Sequence, residues 1–206
     1  MKQVPEYAKT DDNGNVIEYP VYEHHIRNRG QQPQSYEQVI LVEPPEFNTV
    51  THTLSKQTAQ RNAEGNLEQV WQVDVKPLDM LREHMAAELA AIRWQHEIGG
   101  VTLPNGMQLD TSRESQAMTS SAYNSLKDGL IADTDWKGKS GWVVVTITEL
   151  APIAGAIAAH VRGSFGAERI VAEAIEQADQ ATLLAMNIKT DFLAAYTLKM
   201  EELNAV

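Results

Sequence analysis

The chain reads as α+β, with a small N-terminal β module over residues 1–76 followed by a mainly α-helical domain over residues 77–206 that contains a short antiparallel sheet. Three observations predict this. Apolar residues recur at three and four from Leu78 to His96, the spacing that lays one stripe along a helix. Before Lys76-Pro77, Gln69 to Val75 alternates with period two instead. Between Gly99 and Leu109 an Asn105-Gly106 dipeptide is flanked by short apolar runs, which is a hairpin signal.

The elements follow in order. Val4 to Ala8 and Asn15 to Val21 are extended runs around the turn-forming cluster Lys9 to Gly14, a predicted hairpin. Tyr22 to Arg29 predicts a short helix, and Gln38 to Val42 a strand closed by Pro44-Pro45. Glu46 to Asn66 is polar and reads as a long excursion, or as a hairpin with its tip at Ala63-Glu64-Gly65-Asn66. Gln69 to Val75 is expected half-buried, with Val70, Gln72 and Asp74 on one face and Trp71, Val73 and Val75 on the other. A sheet of so few strands is marginal alone, and its edges invite partners.

Pro77 suits a first helical turn. Leu78, Leu81, Met85, Leu89, Ile92 and His96 form the stripe of a helix that Gly99-Gly100 stops. Asn105-Gly106 is expected at the tip of the next hairpin. Thr111 with Glu114 has capping-box spacing and predicts a helix from Thr111 to Leu126, closed at Asp128-Gly129. After a polar loop around Asp133 to Gly141, Trp142 to Thr146 is a strand expected to pair with Val101–Leu103 or Met107–Leu109. Thr146 with Glu149 repeats the box just before Pro152, which is tolerable only near a helix start. An Ala-rich helix then runs to Gln177, and a second helical run from Ala181 to Leu203 carries Leu184, Ile188, Phe192, Ala195 and Lys199 near one stripe.

Composition excludes several classes of function. Cysteine is absent, so disulfides and thiolate metal sites are out. A net charge of −11 argues against nucleic acid, since neutralising phosphates takes clustered Lys and Arg. The apolar window Ile147 to Val161 is shorter than the ~20 residues of a bilayer span and is broken by Glu149, Pro152 and His160. The N-terminus has no apolar core of signal-peptide length, so no membrane insertion is expected.

The search for chemistry returns broken motifs. His24, His25, His52, His84, His96 and His160 include no pair at i, i+4, so a metal site would need ligands from remote segments. Gly138-Lys139-Ser140 ends like a phosphate loop, but Asp133 stands where the first Gly belongs. Arg162-Gly163-Ser164-Phe165-Gly166 imitates a nucleophile elbow, with Arg in place of the first Gly and inside a helical run. Asp133 with Asp135, or Glu37 with Glu43, has no spacing that forces two carboxylates together for sugar hydrolysis. No catalytic, cofactor-binding or metal-binding residue is therefore assigned, and the expectation is not an enzyme. Trp71, Trp94, Trp136 and Trp142 are expected mostly as core, Trp136 being the candidate interface anchor.

An ordered series of short motifs remains. It runs from Arg93-Trp94-Gln95-His96-Glu97-Ile98-Gly99-Gly100-Val101 through Leu109-Asp110-Thr111-Ser112-Arg113-Glu114-Ser115-Gln116 and Trp136-Lys137 to Trp142-Val143, Glu149-Leu150, His160-Val161 and Phe165-x-x-Glu168. It resembles the C-terminal domain of uncharacterised function found in tail fibre and tail fibre assembly proteins of tailed bacteriophages, over roughly residues 80 to 180. Gly14 to Val21 is similar to a short N-terminal segment that many such proteins carry. The resemblance implies a virion or tail-assembly role, with synthesis in the host cytoplasm, and transfers no catalytic residue. The reading is a structural component of the tail, a fibre, baseplate or fibre-attachment protein working through protein–protein assembly. The alternatives are an assembly chaperone absent from finished virions and, remotely, a lytic or depolymerising enzyme. Partners are expected to be other tail or baseplate proteins and a homo-oligomer, with a trimer favoured. The motive is a narrow stripe through Ile170, Ala174, Ala178, Ala181, Ala185, Ile188, Phe192 and Ala195 that buries little area per residue. The competing arrangement folds the C-terminal helices back onto the helix from Pro77 to Ile98.

Overall fold

A computed structural model of the chain describes residues 4–103, 106–138 and 141–205. It is mixed α+β as expected, and it divides into two compact units, Met1–Pro77 and Leu78–Val206.

In the first unit β1 (Glu6–Thr10) lies between β2 (Val16–Tyr22) and β3 (Glu37–Val39) in an antiparallel sheet, with a short helix α1 (Glu23–Asn28) after β2. β4 (His52–Arg61) and β5 (Leu67–Val75) form an antiparallel ribbon. A parallel bridge between Ile40 and Glu68 joins the two sheets. Ala8, Val39, Ala59 and Leu67 are buried together, and Val21, Ile26 and Tyr36 form a second cluster. Polar ties cross the small core. Glu6 accepts from Lys56 Nζ at 2.7 Å, Tyr19 at 2.8 Å and Tyr22 at 3.3 Å, so one carboxylate joins β1, β2 and β4. Arg61 grips Glu37 with two bonds of 2.9 and 3.0 Å and donates to the carbonyls of Gly14 and Gly65, the tips of the two hairpins.

Those tips share one closure. Gly14 and Gly65 have φ near +80° and donate to the carbonyl three residues back, on Asp11 and Asn62, whose side chains in turn accept the free amides of the turn. A glycine at the fourth position of a turn supplies the left-handed backbone that lets the strands resume pairing.

The polar stretch read as an excursion corrects to β4, a strand of ten residues, with the tip at Gly65 as the hairpin alternative had it. Its period was hidden because Ala59 is its one fully buried apolar side chain. In β5 the expected division into two faces gives way to a division along the strand: Leu67 and Gln69 are buried, and Gln72 to Val75 are exposed on both faces. The strand expected from Gln38 to Val42 shortens to β3 plus the bridge at Ile40.

The second unit opens with α2 (Leu78–Ile98), ended where Gly100 turns to φ +91°. β6 (Val101–Thr102) and β7 (Gln108–Leu109) make the expected hairpin, with Gly106 at φ +83°. Gly106 donates to the Leu103 carbonyl and Leu103 to that of Met107, so the glycine closes the turn as Gly14 and Gly65 do. Asn105, the other half of the expected tip, lies outside the described residues.

α3 (Arg113–Lys127) is capped by Ser112, not Thr111: the Ser112 hydroxyl accepts from the Ser115 amide at 3.3 Å. Thr111 is fully buried and otherwise engaged. β9 (Gly141–Val145) does not reach the earlier hairpin; it pairs with β8 (Thr134–Gly138), a strand lying in the segment read as a polar loop. The Thr146–Glu149 capping box holds, with Glu149 accepting from the Thr146 amide at 2.9 Å, and α4 (Ile147–Gln177) runs 31 residues straight through Pro152. The last helical run breaks into α5 (Gln180–Ala185) and α6 (Ile188–Asn204), capped by Asp179 and Asn187.

α4 and α6 fold back on each other and both pack on α2, which is the alternative arrangement weighed above. Leu81, Met85 and Leu89 of α2, Leu150, Ile157, Val171 and Ile175 of α4 and Ile188, Phe192 and Ala195 of α6 are buried. Leu183 is buried on the α5 turn, whereas Leu184, expected there, is exposed. Of the stripe that motivated a trimer, Ile188, Phe192 and Ala195 are buried within the chain, whereas Ala174, Ala181 and Ala185 are exposed. Gly163 permits the close approach, since a Cβ there would lie 2.8 Å from Met200 Sδ and 3.1 Å from the Tyr196 ring. Among the described residues no helix is long and apolar enough to cross a membrane.

Candidate functional site

The C-terminal turn of α2 presents Arg93, His96 and Glu97 in succession, and the fold brings most of the motif series around them. Glu97 is fully buried on a helix end, which an isolated carboxylate would not tolerate. It is held by Arg93 at 2.5 Å, by Arg113 at 3.0 Å and by Gln116 at 3.3 Å. Arg93 reaches onward with Nε to Glu168 at 3.0 Å, so two carboxylates and two guanidiniums from α2, α3 and α4 compensate one another. Thr111 joins the backbones: its hydroxyl donates to the Glu97 carbonyl at 2.6 Å and accepts from the Gly100 amide at 2.8 Å.

One turn away, His160 on α4 ties the same end of α2 to α6. Its Nε2 lies 3.1 and 3.2 Å from the carbonyls of His96 and Glu97, which only accept, so Nε2 carries the proton. Nδ1 then accepts from the Tyr196 hydroxyl at 2.7 Å. Ser164 donates to the His160 carbonyl at 2.8 Å, and His96 Nδ1 sits 3.2 Å from the same oxygen as its donor. Burial, with a smaller electrostatic push from the neighbouring His160, holds the His96 imidazole below its ordinary range, and burial pushes the Tyr196 phenol up.

This geometry bears directly on the elbow-like string. Ser164 is fully buried, its hydrogen is committed to a helix carbonyl, and His96 donates to it, which is the reverse of a base activating a nucleophile. The cluster ties α2, α3, α4 and α6 together. Gly138-Lys139-Ser140 falls largely outside the described residues. Glu37 is held by Arg61 and Thr10 in the first unit. Among the described residues no three His, Asp or Glu side chains are grouped to hold a metal ion. A groove of about 580 Å³ between α3 and α4 is lined by Ser120, Tyr123, Asn124, Ala154, Gly155 and Ala158, a polar wall facing small residues.

Above the buried network the same segment reaches solvent. Arg93 lies 4.5 Å from the Phe165 ring centroid, and Arg113 lies 5.0 Å from that of Trp94. Trp94 is 38 % and Phe165 45 % exposed, so aromatic rings interleaved with guanidiniums form an outward patch. Trp94 is therefore not the core residue expected, and Trp142 still less so at 70 %. Trp71 is half-buried and donates to the Val42 carbonyl at 2.8 Å. Trp136 and Trp142 belong to the β8–β9 ribbon, and Glu149 caps α4; neither joins the network. Sequence reasoning missed Thr111, Ser164 and Tyr196 as network members. The only signal for Tyr196 is its place one turn after Phe192 on a helix face.

No curated protein and no solved structure matches the chain. Residues 80–192 match the model of a family described as a domain of unknown function, DUF4376.

Proposed function

The chain belongs to the DUF4376 family, and from that footing we propose that it is a structural component of a bacteriophage tail, working through protein–protein assembly. The observation that supports this reading best is the exposed pair of rings Trp94 and Phe165, with the half-exposed Arg113 beside them, over the largely buried Arg93. Trp, Phe and Arg are the residue types enriched where proteins bind one another, and a buried ionic lock beneath them limits the entropy lost on docking. These residues also fall within the strings that resemble tail fibre and tail fibre assembly proteins. The partner is another tail or baseplate protein, and the site of action is the virion tail.

Mass spectrometry of purified particles tests the proposal. A fixed copy number of this chain per particle is the expected result. Its absence from finished particles, together with recovery bound to a fibre protein in infected cells, overturns the reading in favour of an assembly chaperone.

A further inference from the structure

The β8–β9 ribbon carries a run of exposed apolar side chains on its second strand. On β9, Trp142 is 70 %, Val143 48 % and Val144 59 % exposed, and among the described residues no strand pairs with the outer edge of this strand. Soluble proteins ordinarily guard such an edge with charge or proline. β8 follows that rule, with Asp135 and Lys137 in its sequence. β9 breaks it: residues 141–148 contain no Asp, Glu, Lys, Arg or Pro in a chain of net charge −11. We infer that the β9 edge is a self-association surface that pairs antiparallel with β9 of a second copy of this chain.

Self-complementarity favours a second copy as the occupant. Antiparallel pairing centred on Val143 sets Trp142 opposite Val144 of the second copy, and Val144 opposite its Trp142. Aromatic and β-branched side chains then meet twice across the two-fold axis on one face. The paired edges bring together a stretch, residues 141–148, that carries no charge in an acidic chain, so the register avoids like-charge repulsion between the two copies. Two ribbons that are marginal alone become a four-stranded sheet.

The area sets the strength. The three side chains offer roughly 300 Å² per copy, most of it from Trp142, against about 800 Å² per partner in a standard stable interface. The dimer is consequently weak and responds to concentration. This inference stands apart from the tail reading, because it concerns a different surface and a partner of the same sequence.

Light scattering on the full chain from about 1 to 300 μM tests it, alongside Val143→Lys. The expected result is a mass rising from one chain to two, with the variant held at one chain and its helical circular dichroism unchanged. The chain has no cysteine, so Val143→Cys introduces a single thiol. A short bis-maleimide should convert that variant to a covalent dimer while leaving Ser121→Cys, on the exposed face of α3, monomeric. This second arm decides the matter if the lysine variant fails to fold. A wild-type mass of one chain throughout, a mass of three chains, a dimer indifferent to Val143→Lys, or equal cross-linking of the two cysteine variants overturns the inference.

Discussion

His96 is half-buried against His160 and Ser164 of α4 and Phe192 and Tyr196 of α6, with Arg93 and Glu97 as the charged groups beside it on its own helix. Its folded pKa lies below the ordinary 6.5. Between those two values the unfolded chain binds more protons than the folded one, so stability falls as pH drops from about 6.5 through the folded pKa. Replacing His96 with Gln should flatten that limb, read as a smaller fall in melting midpoint between about pH 7.5 and 5.5. An unchanged fall would place the acid sensitivity elsewhere. Little of this was legible beforehand. His96 and His160 stand out as motif members, but their partners lie as far as 100 residues away, from His96 to Tyr196, and pattern reading along a chain carries no signal at that range. Gly163 looked like part of a broken catalytic string, and its actual role, opposite Met200, is a matter of helix approach.

Elements were more legible than contacts, and the failures have physical reasons. Periodicity placed α2, the Thr146–Glu149 capping box and Ala-rich run placed α4, and glycine-bearing turn signals placed three hairpin tips. β4 and β8 escaped because a two-stranded ribbon needs few buried side chains, so its strands show no apolar alternation. At α3 two adjacent hydroxyls competed for the cap. Glu114 three residues on favoured Thr111, but Thr111 was already taken by two backbone groups of the preceding turn. This assignment yields an ordered expectation. Thr111→Val leaves the Gly100 amide without its acceptor and takes from the Glu97 carbonyl one of two donors, the other being His160, and should cost about 2 kcal/mol, whereas Ser112→Ala removes one cap bond and should cost about 1 kcal/mol. Denaturant unfolding of the two variants reads the difference, and a larger loss at Ser112 than at Thr111 would overturn this ordering.

For the whole molecule, the division at Pro77 and Leu78 gives each unit its own core. The helical unit, expressed alone as residues 78–206, should keep its helicity and melt in one cooperative transition. A fragment that is unfolded by circular dichroism would show that the first unit is needed to complete it. The unit extends beyond the family match at residue 192, and α6 supplies Phe192, Ala195 and Tyr196 to the interior, so the C-terminal segment is integral to the bundle. The lock around Glu97 also constrains how this chain can vary over generations. Loss of that carboxylate alone takes the shared partner from two guanidiniums, and loss of Arg93 alone removes the ion pair of Glu168 and one of the two that hold Glu97; breaking a buried pair from one side costs about 3–5 kcal/mol, while exchanging all members for well-packed apolar residues is close to neutral. A lineage at this position therefore faces a valley between two viable solutions, and positions 93, 97, 113 and 168 should change as a set or stay as they are.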